Sequence, residues 1–496
     1  MVSYDGMRTW HAELLHVQVF NLSKPNQPSC EMALPLPCCS TPAGCFRDGS
    51  PDSQCTDGCW VPGGGRDYAR PLQSQSGDWF MMIGCSTNFN NPQFALNSSS
   101  QMDGAVCRFK ATGDVGKLDT WSFSGFQYHS NSTIFGQLSL TDEVPDFFEL
   151  ATPAGGRARH VLLIDPLGTT PCHEKEGCFP EGRTTLSHNI EWRTGAWSRD
   201  GSEFTTTGAQ GALDYGMWYA PRSVADASNT GRRLIWGNLA SDATSTAIPE
   251  HPVKRFFTSL PRELSLAADG KTVLVTPPPE LAALRTASLG QPAQHELRCG
   301  DSVVLGEANA TELELRINVS SAGSSHYEVG AFLLATAAMD EAAYVSVSPS
   351  TLPSAAFQGS NVAIDLRKTN NDTARYIANT TTGWPWQSVI PAPFAEPPSG
   401  VLQFRIFLDV NVVEVFAADC TCTASASSLA DCECDKGNRA AVAVTALVAP
   451  SVAAGSAANR VGLFARCAGA GRHEFAASSR AWKLRPARFT TGPPEA

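Results

Sequence analysis

The sequence predicts an all-β protein whose first half reads as a β-propeller or sandwich and whose second half reads as a β-sandwich. Three observations carry this. Short apolar or alternating runs of four to seven residues recur between turn residues, long helical periodicity is scarce, and beyond about residue 300 the runs become longer and alternate more regularly. At 496 residues the chain is too long for one core, so two domains are expected.

In order, GDWFMMIGCS (77–86), DFFELA (146–151), HVLLIDP (160–166), RRLIWGN (232–238) and KTVLVTP (271–277) each read as a strand. ELAALRTA (280–287) is the clearest helical candidate. TELELRINVS (311–320), VLQFRIFLDVNVVEVFA (401–417) and AAVAVTALV (440–448) read as longer strands with one buried face. The change of texture sets the domains at 1–290 and 300–490.

Composition narrows the partners. A hydrophobic content of 42% with 17% charge describes a globular protein. The net charge of -11, without any Lys/Arg cluster, argues against nucleic acid or an anionic membrane surface, and no apolar run approaches the roughly 20 residues of a spanning helix. A neutral ligand is the better expectation. The 16 cysteines fall mostly in close pairs within Gly-, Pro- and Ser-rich stretches, as disulfides of an oxidising compartment would. Seven Asn-x-Ser/Thr sequons, at Asn21, Asn97, Asn131, Asn309, Asn318, Asn371 and Asn379, point to the same secretory or vacuolar route. Cys420, Cys422, Cys432 and Cys434 could hold zinc, but their CxC spacing favours a hairpin closed by disulfides. No metal or other cofactor is expected.

The stretch TDEVPDFFEL (141–150) sets two carboxylates, Glu143 and Asp146, around a Val-Pro step just before paired phenylalanines. Pro145 extends Val144 and donates nothing to a ladder, which suits a strand end or edge. Three positions apart on an extended chain, the carboxylates tend to opposite sides, so that Glu143 faces a cleft while Asp146 braces neighbouring backbone. Taken alone, the decapeptide reads first as a solvated turn before a buried strand.

Further segments follow the same order along the chain as in a known family. CFRDGS (45–50), EVPD (143–146), LDYGMWYAP (213–221), LIWGN (234–238), SLPREL (259–264), AIDLRK (363–368) and FLDVNVVEVFA (407–417) together resemble the motif series of glycoside hydrolase family 32, the β-fructofuranosidases, fructan hydrolases and related fructosyltransferases. The resemblance covers nearly the whole chain. It implies a five-bladed β-propeller followed by a β-sandwich, and retaining cleavage of a terminal fructosyl bond of sucrose or fructan. Carried over by position, Glu143 would be the acid/base, Asp48 the transition-state stabiliser gripping ring hydroxyls, and Arg47 the residue that orients the carboxylates. Asp214 and Tyr215 would complete the sugar pocket, and Trp236 would line its wall.

The departures are specific. Val144 stands where the family has Cys, Gly49 where it has Pro, and Asn238 where it has a second Trp. The family's nucleophile motif, WMNDPNG, does not occur, and SYDG (3–6) and HVQVFNLSKPNQP (16–28) resemble segments that lie downstream of it. The resemblance therefore implies a propeller entered inside its second blade, with the nucleophile and any signal segment upstream. A fructosyltransferase and a non-catalytic carbohydrate-binding protein stand as alternatives.

Overall fold

The computed structural model describes residues 9–10, 66–87, 103–112, 121–129, 139–152, 158–168, 190–216, 218–226, 231–239, 257–320, 326–349, 360–369, 389–394, 400–410, 412–423, 428–434, 441–448, 459–468, 473–485 and 488–489. Arg47, Asp48 and the cysteines before Cys85 lie outside them. The described residues are overwhelmingly strand, as the short turn-bounded runs predict.

Three antiparallel sheets follow one another in the first half. The first contains Arg66–Tyr68, Leu72–Gln73, Trp79–Thr87, Asp103–Ala111 and Trp121–His129. The second is a meander of Ser139–Leu150, Arg159–Gly168, Glu191–Trp197 and Phe204–Ala212. The third contains Trp218–Ala225, Arg233–Leu239, Phe257–Thr258, Arg262–Leu266 and Val273–Thr276. Successive meanders of this size are the repeating unit of a propeller, because each can bury its two faces only against its neighbours.

The strand Ser139–Leu150 shows how the packing works. Successive side chains on a strand point to opposite faces, so Phe147 and Phe148 enter different cores. Phe147 joins Phe80 of the first sheet and packs edge-on against Trp197 and Phe204, with ring centres 5.3 and 5.2 Å away. Phe148 joins Trp192, Trp218, Ile235 and Leu264, a cluster completed by Phe407, Phe416 and Ala443 of the second half. The paired phenylalanines thus make one strand a wedge between two cores.

The second half is a sandwich. One sheet runs Arg285–Ser288, Glu474–Leu484, Ala310–Asn318, Val401–Asp409, Val412–Asp419, Ala441–Leu447, with Ala293–Arg298 also on Glu474–Leu484. The other runs Ser302–Glu307, Arg460–Cys467, Tyr327–Ala335, Ala342–Pro349, Ser360–Lys368, Val389–Phe394. Leu315, Ile317, Phe404 and Ile406 of the first meet Val329, Leu333, Val345 and Leu463 of the second in one buried core. Cys299–Cys467, Cys420–Cys434 and Cys422–Cys432 are disulfides, so the CxC pairs close the hairpin as expected.

Three expectations change. The 280–287 segment is helical only over Pro279–Leu284, as a 3-10 turn; from Arg285 it is a strand paired with Glu474–Leu484, because the sheet offers its edge there. Arg285–Ser288 thus joins the sandwich sheet. The 401–417 run is a hairpin, turning between Asp409 and Val412, which face each other in register. Finally, Val401–Asp409 is buried on both faces, since one side meets the sandwich core while Phe407 on the other meets the propeller sheets.

The hairpin turn carries a cost. Val410 sits at φ 56, a left-handed conformation that disfavours a β-branched side chain and favours Asn or Gly. In protein made in a bacterial host, which adds no N-linked sugar, Val410→Asn should therefore be stabilising by about 1 kcal/mol, seen as a higher denaturant midpoint at unchanged slope. An equal or lower midpoint would show that the turn carries no such strain.

Candidate functional site

The strand Ser139–Leu150 lies at the edge of its sheet and contacts both neighbouring sheets, which makes it the innermost strand of the second meander. Its middle is bulged. Glu143 stands opposite Asp165 but Asp146 stands opposite Leu163, so three steps on one strand match two on the other. Pro145 has no N–H to place in the ladder and Val144 takes φ 47. A bulge resets the side-chain alternation, so the simple expectation of opposite sides across three residues does not carry through this stretch.

Contacts from the third sheet hold the bulge. Arg222 Nη1 donates to the carbonyl of Val144 at 3.0 Å. The Asp146 carboxylate accepts from Ser223 N at 3.0 Å and Ser223 Oγ at 2.5 Å, the backbone-bracing role expected of it. Arg233 donates to the same Ser223 Oγ at 3.1 Å and lies 4.1 Å over the Phe148 ring. A left-handed valine persists only where its surroundings over-determine it, and such strain clusters at functional sites.

Acidic groups concentrate around this bulge. Asp142 and Asp165 are fully buried, and Glu191, in register with Ile164, is nearly so. Glu191 is bound by Arg193 at 2.6 Å, whose Nε donates to the Tyr128 hydroxyl of the first sheet at 3.1 Å. Burial pushes the Tyr215 hydroxyl up to about 12, and the Glu191 charge adds to that rise. Side-chain contacts thus run from the first sheet to Glu191 of the second, and Leu213 N, donating to Ile190 O at 2.8 Å, sets the LDYG segment beside it.

That segment has an unexpected place. Asp214 is buried, and its carboxylate accepts from Arg262 Nη1 at 2.8 Å, Gly216 N at 2.6 Å, Thr445 N at 3.1 Å and Thr445 Oγ1 at 2.5 Å. Tyr215 N donates to Ala443 O at 3.0 Å, so residues 214–216 lie along the sandwich strand Ala441–Leu447. Gly216 is needed here: a Cβ would come within 1.9 Å of Thr445 O. Arg262, with no exposed surface, also binds Glu414 at 2.9 Å and Thr445 Oγ1 at 2.7 Å, and stacks over Trp218 with 4.2 Å to the ring centre. The LDYG, LPREL and VEVF segments, distant in sequence, meet as one buried ionic latch between propeller sheets and sandwich.

The expected site residues therefore divide. Glu143 is placed by its backbone in the bulge, and half-buried Trp236 stands in register with Arg222, whose guanidinium reaches that bulge. Asp214 and Tyr215 sit in the latch; a sugar hydroxyl could reach the Asp214 carboxylate only by displacing Arg262 or Thr445, so direct sugar contact does not fit this geometry. Arg47 and Asp48 lie outside the described residues. Arg222, Arg262, Glu414 and Thr445 were given no role from sequence, although SLPREL and VEVF held two of them inside recognisable motifs. Among the described residues no cluster of His, Cys, Asp and Glu could hold a metal ion, and no helix is long and apolar enough to cross a membrane.

The profile described as glycosyl hydrolases family 32 N-terminal domain matches residues 66–278, and that of the family's C-terminal domain matches residues 280–427. A levanase of Bacillus subtilis is 28% identical over 290 residues, covering 56% of this chain and 37% of the levanase. A fructan 1-exohydrolase of Hordeum vulgare is 33% identical over 119 residues, 23% of this chain and 19% of that enzyme. The chain thus spans well under half the length of these relatives. Among solved structures, fructan 1-exohydrolase IIa from Cichorium intybus superposes with a TM-score of 0.58 at 15% identity, covering 88% of this chain and 74% of that one. A β-fructofuranosidase of Aspergillus kawachii gives 0.59 at 16% identity, with 86% and 72% covered. These likenesses bear out the all-β propeller-and-sandwich fold; at such identity they speak to fold alone.

Removing Arg262 leaves two buried carboxylates without their cation. Arg262→Met should therefore destabilise the protein by about 3–5 kcal/mol, and Arg262→Lys, a point charge in place of a fork, should restore only part of that. Chemical denaturation reads both; full stability of the methionine variant would mean that the latch carries no weight. Burial lifts Glu414 above the ordinary carboxylate range of 4.5, against the pull of Arg262. A group with a raised folded pKa favours the fold below its unfolded value and loses that contribution as pH rises through its folded value. The wild type should accordingly lose stability relative to Glu414→Gln as pH rises from about 4.5 toward neutrality. A pH-independent difference between the two would contradict this assignment.

Proposed function

Because the chain belongs to glycosyl hydrolase family 32, we propose that it releases terminal β-fructofuranosyl units from sucrose or a fructan, with retention of configuration and with Glu143 as acid/base. The observation that carries the proposal is the bulge at EVPD. The EVPD backbone is strained and doubly anchored, and the acids Asp142, Asp165 and Glu191 lie buried along the same sheet.

In this reading Glu143 protonates the leaving glycosidic oxygen and then takes a proton from the water that attacks the fructosyl intermediate. Asp48 grips ring hydroxyls by charge-assisted hydrogen bonds, Arg47 orients the carboxylates, and Trp236 offers an apolar wall to the sugar. Asp214 and Tyr215 act at second hand, fixing the LDYG loop against the sandwich. The covalent intermediate requires a carboxylate nucleophile within about 5 to 5.5 Å of the acid, and none of the residues present is given that role. The disulfides of the second half and the family relation support a secretory or vacuolar setting. The net charge of -11 supports a neutral sugar ligand over nucleic acid or membrane.

A non-catalytic carbohydrate-binding role draws on one observation: no NDPNG-like stretch occurs in the 496 residues. One assay separates the readings. Fructose release from sucrose, 1-kestose and levan is measured for the native protein and for Glu143→Gln. In the hydrolase, kcat should fall by about a hundred- to ten-thousand-fold while KM changes little, because an amide cannot donate the proton. Equal turnover would remove Glu143 from the chemistry. Sugar binding by a native protein that releases no fructose would establish the binding role instead.

A further inference from the structure

We propose that Asn309 carries an N-linked oligosaccharide whose first N-acetylglucosamine packs on Val410. Asn309-Ala310-Thr311 is an Asn-x-Thr acceptor sequence, and Asn309 is exposed in the short connection between the strands Ser302–Glu307 and Ala310–Asn318. Its carbonyl accepts Val410 N at 2.8 Å, which fixes the hairpin turn Asp409–Val412 beside it. Val410 is 61% exposed, more than any other exposed large apolar side chain among the described residues. An apolar side chain held outward at a left-handed turn, next to a sugar acceptor, is a platform for the apolar face of a pyranose ring.

Thr311 decides when the sugar is added. Its hydroxyl, which the transfer enzyme must read, has no exposure in the folded protein and donates to Trp482 O at 2.7 Å. The acceptor sequence is therefore legible only before Ala310–Asn318 pairs with Glu474–Leu484. That partner is synthesised 171 residues after Thr311, a window of about 10 to 30 s at ordinary elongation rates. The three disulfides of the second half place folding in the oxidising compartment where such transfer occurs.

The step balances with a lipid-linked oligosaccharide diphosphate as donor. Asn309 Nδ2 forms a bond to C1 of the terminal N-acetylglucosamine, the C1–O bond to the diphosphate breaks, the lipid diphosphate leaves with the electron pair, and the amide gives up one proton. No redox change is involved.

The test uses the full chain secreted by a eukaryotic host. Peptide mapping before and after glycosidase treatment should find the Asn309 peptide carrying a hexosamine-based glycan, and enzymatic release should leave an aspartate in place of the acceptor asparagine. Asn309→Gln should lose one glycan's mass. A wholly unmodified Asn309 peptide from secreted protein overturns the site, whatever the yield of the variant. The packing is read by a double-mutant cycle. Loss of the glycan should lower Tm by about 2–4 °C, as expected for roughly 1 kcal/mol in a domain of this size, and by less than half as much in a Val410→Ala background. Equal Tm losses in both backgrounds would refute the contact with Val410.

Discussion

The buried guanidinium of Arg262 is the constraint around which the two halves of the molecule are arranged. It is enclosed by Asp214, Glu414, Thr445, Trp218 and Phe416, residues from the LDYG loop, the third propeller sheet and one sandwich sheet. A charge without exposure is tolerable only when its donors find acceptors, so these segments have to converge, and convergence fixes the angle between sheets. The two carboxylates exceed the single cation; burial first, and the Asp214 charge after it, lift the Glu414 carboxyl above its ordinary range against the pull of Arg262. Such a centre contributes less by net stability than by permitting one arrangement and excluding others.

A second ionic group reinforces the junction. Glu312, fully buried, accepts from Arg285 at 2.7 Å and from Arg405 at 2.6 Å, while Arg405 also reaches the Pro277 carbonyl and Arg285 lies 3.7 Å over the Trp482 ring. Burial alone would push Glu312 up; the two guanidinium groups outweigh it and hold the carboxyl below its ordinary range. The sandwich is thus tied to the last propeller strand and to the LDYG loop at once. Any displacement of the sandwich would be felt at the loop that borders Glu191 and, through it, at the bulged strand.

The bulge depends on the same logic at smaller scale. Its backbone strain is held by Arg222 and Ser223 from the neighbouring sheet, while Phe147 and Phe148 anchor the strand in two separate cores. The carboxylate proposed to do chemistry is therefore placed by residues that do none. Positions far apart in the chain, such as Val144 and Arg222, are inseparable in the fold.

The sequence by itself determined the all-β class, the change of texture into a sandwich, the disulfide nature of the CxC pairs, the edge character that Pro145 imposes, and the bracing part of Asp146. All of these follow from local chemistry: period-two alternation, missing N–H groups and cysteine spacing are properties of a few neighbouring residues. Only the tertiary structure decided that 401–417 turns back on itself, that Val401–Asp409 is covered on both faces, and that Asp214 belongs to a latch. Those outcomes hang on contacts such as Arg262 with Glu414 and Asp214 with Thr445, 152 and 231 residues apart. An aspartate in a DYG motif reads as a sugar ligand until its partner Thr445, invisible along the chain, is brought within 2.5 Å by the packing of two domains.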